Sequence, residues 1–304
     1  MYVHRRDHLI VCFKYVPRVL QNMDMEETDD LSPGSLVRRW RLGKRLRQIR
    51  EEAGRTMDEA AAYIGVRRPT VSRIETGRQA ILPRNVKFLC QFYEVGAPEV
   101  DMMMRQAEES NERGWWLSYS DTMADWFETY VGFEADAKAI WSYSSEFVPA
   151  LLQTPGYLRG LNEAFKTKEA AIDKLVAFRA ERQKRLEIRG LDYRVVLNES
   201  VVRRPAGDMR EQLRHLLLMS DREYITLQIL TFESGPHRAM KGPFNMVTLP
   251  EEENPNFVYV EHEDGAVYLE RPADLAKYSA AFKSLSAQAL SVEETREFLA
   301  TLVK

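Results

Sequence analysis

Residues 46–79 read LRQIREEAGRTMDEAAAYIGVRRPTVSRIETGRQ, and their apolar residues recur at steps of three and four as far as Gly54. This spacing predicts a helix that ends at Gly54. Thr56 and Glu59 have the spacing of a capping box, in which the two residues satisfy each other's amides, so a second helix begins there. Gly65 ends the second helix, because glycine adopts the left-handed conformation that closes a helix.

A three-residue turn, Gly65-Val66-Arg67, leads into a third helix. Proline is favoured in the first turn of a helix, so Arg68-Pro69 marks its start. Two helices joined by so short a turn make a helix-turn-helix, whose second helix lies in the DNA major groove. On this third helix we expect Val71 and Ile74 to point into the core and Arg73 to face outward.

The charge is unevenly distributed along the chain. The segment Leu36–Tyr93 holds 14 Lys and Arg residues against 5 Asp and Glu residues, a local charge of +9, whereas the whole chain has −3 and the rest therefore −12. A basic module on an acidic body indicates a polyanionic partner for the module alone. A basic solvated face without a partner is the alternative.

The segment Leu42–Tyr93 resembles the XRE-type, lambda-repressor-like DNA-binding domain. Eight positions agree with that family in order and spacing: Gly54, Ala61, Gly65, Val71, Ser72, Ile74, Glu75 and Gly77. The sequence departs from the family mildly at Ala60 and Pro69. The resemblance implies that Arg50 and Glu75 form a semi-buried ion pair between the first and third helices, which is a structural role.

Double-stranded DNA is the predicted partner of the third helix and its surroundings. Arg73 is best placed to donate two hydrogen bonds to guanine O6 and N7, with phosphate contact or a solvated position as the alternatives. The residues assigned to base reading are Arg68, Pro69, Thr70 and Arg73. Backbone contacts position a protein without specifying sequence, and they are assigned to Thr56, Met57, Arg67, Ser72, Arg78, Arg84 and Lys87.

The second half of the chain mixes helical and strand patterns. Helical spacing covers residues 134–144, 155–165 and 169–188, and two helices close the chain. Runs of β-branched and aromatic residues predict strands over 193–202, 224–232, 244–249, 257–263 and 266–270. We therefore predict an all-α N-terminal helix-turn-helix domain and a C-terminal α+β domain. The predicted divisions are a flexible lead-in over 1–35, the helix-turn-helix domain over 36–98, a helical connector over 99–113, and a regulatory or interaction domain over 114–304.

The α+β part resembles a domain of unknown function that follows such DNA-binding modules in many actinobacterial regulators. The matching segments are Phe147–Tyr157, Arg179–Gln183, Leu197–Val202, Gln212–Leu216 and Gly235–His237. Ala150 stands where the family usually has glycine. The resemblance implies a sensor or protein-docking module, often paired with a small partner protein in an antitoxin-like arrangement.

An aromatic segment opens this domain and provides a candidate regulatory site at Trp115, Trp116 and Trp126. Tryptophan is enriched at binding hot spots. A hydrophobic core is the alternative for these side chains.

The sequence predicts neither an enzyme nor a metal or cofactor site. The five histidines have no metal-ligand spacing, and no phosphate-binding glycine motif or nucleophile elbow occurs. Two cysteines, Cys12 and Cys90, fit a reducing cytoplasm. No apolar run approaches the about 18 residues of a membrane-spanning helix.

We therefore expect a cytoplasmic, homodimeric, sequence-specific transcription regulator whose C-terminal domain senses a ligand or a protein partner. The alternative is an antitoxin-like factor that sequesters a small partner protein and uses DNA binding for autoregulation.

Overall fold

The computed structural model describes residues 35–110, 115–165, 167, 169–189, 191–250, 252 and 254–303. The predicted lead-in, apart from Ser35, and Cys12 lie outside the described residues. The described residues fall into two compact units. The first contains the described residues up to 118 together with 131–136, and the second contains 119–130 and the residues from 137 onward.

Five helices make up most of the first unit: α1 (Ser35–Glu52), α2 (Met57–Tyr63), α3 (Arg68–Glu75), α4 (Pro83–Phe92) and α5 (Ala97–Glu109). The capping box starts α2, since the Glu59 amide donates to Thr56 Oγ1 at 3.2 Å and the Thr56 amide donates to Glu59 Oε2 at 2.8 Å. Gly65, with a φ of 69°, follows α2 and lets the chain turn into α3. One apolar core joins the five helices, and its members include Leu42, Leu46, Ile49, Ala60, Val71, Ile74, Val86, Leu89 and Met103.

A six-stranded mixed sheet organises the second unit. Its strands are β1 (Ala139–Ser144), β2 (Asp192–Asn198), β3 (Ile225–Leu230), β4 (Phe244–Thr248), β5 (Phe257–His262) and β6 (Gly265–Leu269). Their order is β3-β2-β1-β4-β5-β6. The first three strands are mutually parallel, whereas β4, β5 and β6 join by antiparallel pairing.

The other helices of the described residues lie before, between and after these strands in the sequence. They are α6 (Asp125–Asp136), which the division between the units crosses, α7 (Pro155–Ala164), α8 (Glu169–Arg189), α9 (Glu199–Arg203), α10 (Met209–Met219), α11 (Pro272–Gln288) and α12 (Val292–Val303). Short 3-10 helices cover Trp115–Thr122, Ala150–Leu152 and Phe232–Ser234. The predicted fold class, a helical domain followed by an α+β domain, is confirmed.

One sequence-based element prediction is wrong, and another extends too far. The helix predicted over 134–144 is instead the end of α6 and the strand β1. β1 lies between β2 and β4 and is buried at four of its six residues. Ile140 is its only β-branched residue, so its sequence lacks the β-branched run that predicted the other strands. The strand predicted over 193–202 ends at Asn198, whose side chain accepts a hydrogen bond from the Ser200 amide and begins α9.

Candidate nucleic-acid interface

Helix α3 has one buried face and one exposed face. Val71, Ile74 and Glu75 are buried. On the other side Pro69 and Arg73 are exposed, while Thr70 and Ser72 are half-buried. Arg68 is exposed at the first residue of the helix. The outer face and the N-terminal tip of α3 therefore each present a guanidinium group, which can donate paired hydrogen bonds to guanine.

Two contacts restrain the arginines of this face. Arg68 Nε lies 3.6 Å from Asp58 Oδ2, which joins the start of α3 to the first turn of α2. Arg73 Nη2 donates to Thr70 Oγ1 at 3.5 Å, one turn earlier on α3. Both arginines stay exposed, so a ligand in front of α3 could reach them.

The residues predicted to contact the DNA backbone surround α3. Arg67, Arg78, Arg84 and Lys87 are exposed cations on the turn before α3, in the loop after it and on α4. Clustered Lys and Arg side chains make a surface suited to phosphate.

The start of α2 is the other predicted backbone contact. Met57 is half-buried against the core, and Thr56 is exposed. The Thr56 hydroxyl also donates to Glu59 Oε2 at 2.8 Å. The hydrogen bonds from Thr56 lower the pKa of Glu59 below its ordinary value.

An ion pair fixes α3 to α1 below this surface. Arg50 Nε donates to Glu75 Oε1 at 2.6 Å, and Arg50 Nη2 donates to Glu75 Oε2 at 2.9 Å. Both residues are buried. The hydrogen bond to Glu75 raises the pKa of Arg50 above its ordinary value.

Sequence reasoning missed two residues that position α3. At Gly43 a Cβ atom would overlap the carbonyl oxygen of Ile74, so glycine permits the close approach of α1 to α3. A glycine inside a helical pattern was the available signal, because glycine disfavours helix and often marks such an approach. Asp58 is the second missed residue. An acidic residue in the first turn of a helix is common, so the sequence gave no indication of its contact with Arg68.

The candidate regulatory tryptophans are divided between the two units. Trp115 and Trp116 belong to the first unit, where their rings meet edge to face at 6.1 Å. Trp116 is 5% exposed, and its ring lies over Gly132 of the same unit. Trp126 belongs to the second unit, is half-buried, and its carbonyl accepts a hydrogen bond from Tyr268 Oη at 3.2 Å.

Among the described residues, no group of three or more His, Cys, Asp or Glu side chains could hold a metal ion. None of the described helices combines the length and apolar character that crossing a membrane requires.

Family models match both the N-terminal and the C-terminal region of the chain. A helix-turn-helix domain model matches residues 41–103, which indicates DNA binding. A search of the curated proteins found no match. The model described as Domain of unknown function (DUF5753) matches residues 127–301. Because this match covers more than half of the chain, the protein belongs to the DUF5753 family and carries a helix-turn-helix domain ahead of that region.

Proposed function

We propose that the protein is an XRE-type transcription regulator that reads DNA sequence through α3. Arg68, Pro69, Thr70 and Arg73 contact base edges in this proposal, and the cations around α3 contact phosphates. The observation that carries the proposal is the exposure of Arg68 at the N-terminal tip of α3 and of Arg73 on the side of the helix opposite its buried residues. In a helix-turn-helix this is the side that enters the major groove.

The charge distribution supports DNA binding by the helix-turn-helix domain alone. Residues 36–93 carry +9, whereas residues 94–304 carry −10. A basic surface attracts the phosphate backbone, and an acidic one repels it. The DNA footprint in this proposal is therefore confined to the helix-turn-helix domain.

The C-terminal α+β domain is the regulatory part in this proposal. It receives a ligand or a small partner protein in the cytoplasm and alters DNA affinity. The protein acts as a homodimer, since one helix-turn-helix covers a single half-site, and it favours inverted repeats with centres about 10 bp apart. Sedimentation of the full chain as a monomer both free and on DNA would contradict the dimer.

Selection of binding sites from random duplexes tests the proposal with the full chain and needs no known operator. Arg73→Ala should relax base preference at one position per half-site and cost about 1 to 3 kcal/mol on the selected site. Arg105→Ala is the matched control, because Arg105 is an exposed arginine on α5, outside the helix-turn-helix. A motif that Arg73→Ala leaves unchanged rules out base reading by Arg73.

A further inference from the structure

One ion pair links the two helices of the helix-turn-helix across their exposed ends. Asp58 is the second residue of α2, and Arg68 is the first residue of α3. The Asp58 carboxylate lies 3.6 Å from Arg68 Nε, and the two side chains are 75% and 63% exposed. Neither side chain is needed to fill the apolar core, so the contact is open to a role at the surface.

The contact leaves the outer end of the guanidinium available. Asp58 approaches Nε, the nitrogen nearest the backbone, while a guanidinium can donate two parallel hydrogen bonds through its terminal nitrogens. At 3.6 Å the contact is an electrostatic restraint rather than a short hydrogen bond. It can orient Arg68 without withholding it from a guanine.

The same carboxylate weakens a competing interaction. An arginine at a helix tip is attracted to any nearby phosphate, and a phosphate contact carries no sequence information. A negative charge beside Arg68 repels phosphate oxygens and offsets part of that attraction. Sequence discrimination is the difference between the affinities for cognate and non-cognate DNA. Weakening the phosphate contact of Arg68 therefore raises discrimination as effectively as strengthening its base contact.

We propose that Asp58 is a specificity-determining residue that positions Arg68 for base reading and holds it away from phosphate. This inference rests on the proposed function, because it requires Arg68 to read a base. In this proposal Asp58 acts on base reading through Arg68 alone.

A helix-stabilising role for Asp58 makes a different prediction. An acidic side chain in the first turn of a helix interacts favourably with the helix dipole. Loss of that interaction alone would lower the thermal stability of the protein and weaken binding to all sequences together. A change in preference at one base position is therefore the readout that separates positioning from stability.

Site selection with the full chain supplies this readout. The variants are Asp58→Asn, Asp58→Glu, Arg68→Ala and the double variant Asp58→Asn with Arg68→Ala. Asp101→Asn is the matched control, since it removes the same charge by the same substitution at an exposed position of α5. Each variant is also melted by circular dichroism.

We expect Arg68→Ala to abolish preference at one position per half-site. Asp58→Asn should reduce preference at that same position about two- to fivefold, the range set by exposed ion pairs, and raise affinity for a non-cognate duplex. Asp58→Glu should restore the preference, and Asp101→Asn should leave it unchanged. In the Arg68→Ala background, Asp58→Asn should have no further effect on the motif.

Three results would overturn the inference while leaving base reading by Arg68 intact. These are an unchanged motif in Asp58→Asn, the same relaxation in Asp101→Asn, and a further change when Asp58→Asn is added to Arg68→Ala. If Arg68→Ala itself leaves the motif unchanged, Arg68 does not read a base. The proposed function is then wrong for Arg68, and so is the inference about Asp58.

Discussion

Arg50 and Glu75 form a buried ion pair that joins α1 to α3 through two hydrogen bonds. The side chains are 7% and 3% exposed, and Arg50 Nη1 donates a third hydrogen bond to the carbonyl of Arg55 at 2.8 Å. The pair therefore connects α3, the turn before α2 and the last turn of α1. It therefore holds α3 to α1 on the side of α3 opposite the exposed Arg73.

Breaking this pair from one side should destabilise the protein strongly. Glu75→Ala leaves the Arg50 charge buried without its carboxylate, so we expect a loss of about 3 to 5 kcal/mol. Denaturant unfolding followed by circular dichroism measures it. The double variant Arg50→Met, Glu75→Leu should lose much less, because it removes both buried charges. Equal losses in the single and double variants would show that desolvated charge is not the cause.

Gly43→Ala should destabilise the protein although alanine is the better helix former. Propensity alone favours alanine by about 1 kcal/mol, but the added Cβ meets the Ile74 carbonyl and forces α1 away from α3. We expect a net loss of about 1 to 3 kcal/mol. A rise in the melting temperature of Gly43→Ala would contradict the close approach.

Lys87→Ala should weaken binding to all DNA sequences by a similar factor. Lys87 is an exposed cation on α4, and a phosphate contact adds counterion release without base preference. The slope of log affinity against log salt should fall by about 1. Fluorescence anisotropy at several salt concentrations, on the selected site and on a scrambled duplex, measures both effects. A loss confined to the selected site would instead assign Lys87 to base reading.

Trp116→Ala should lower the stability of the first unit. Trp116 is 5% exposed and packs over Gly132, so truncation leaves a large cavity and should cost about 3 to 5 kcal/mol. The half-buried Trp126 is the comparison, and Trp126→Ala should cost less. Thermal melting of both full-length variants tests this. An unchanged melting temperature in Trp116→Ala would favour a binding role for this residue over a core role.

Cys90 should resist alkylation in the folded protein. The residue is fully buried beside Met103, and burial raises the pKa of its thiol to about 11. The thiolate is the reactive form, so iodoacetamide at pH 8 should modify Cys90 only after unfolding. Peptide mass mapping with and without denaturant measures this. Fast modification of Cys90 in native buffer would contradict its burial.

The sequence alone was sufficient to predict the helix-turn-helix, because the signals that define this motif are local. A capping box, a closing glycine and a short turn act within a few residues, and the three-and-four spacing of Leu46 and Ile49 already marks the buried face of α1. Strand runs separated by glycine, proline and asparagine likewise predicted five of the six strands.

Tertiary structure decided what depends on neighbours distant in sequence. β1 was not predicted because Ile140 is its only β-branched residue, and pairing with β2 and β4, which are distant in sequence, makes it a strand. Gly43 and Asp58 acquired roles because packing brings them to Ile74 and Arg68. Local pattern predicts the helices of the helix-turn-helix, whereas the close approach of separate helices decides which side chains act together on the candidate interface.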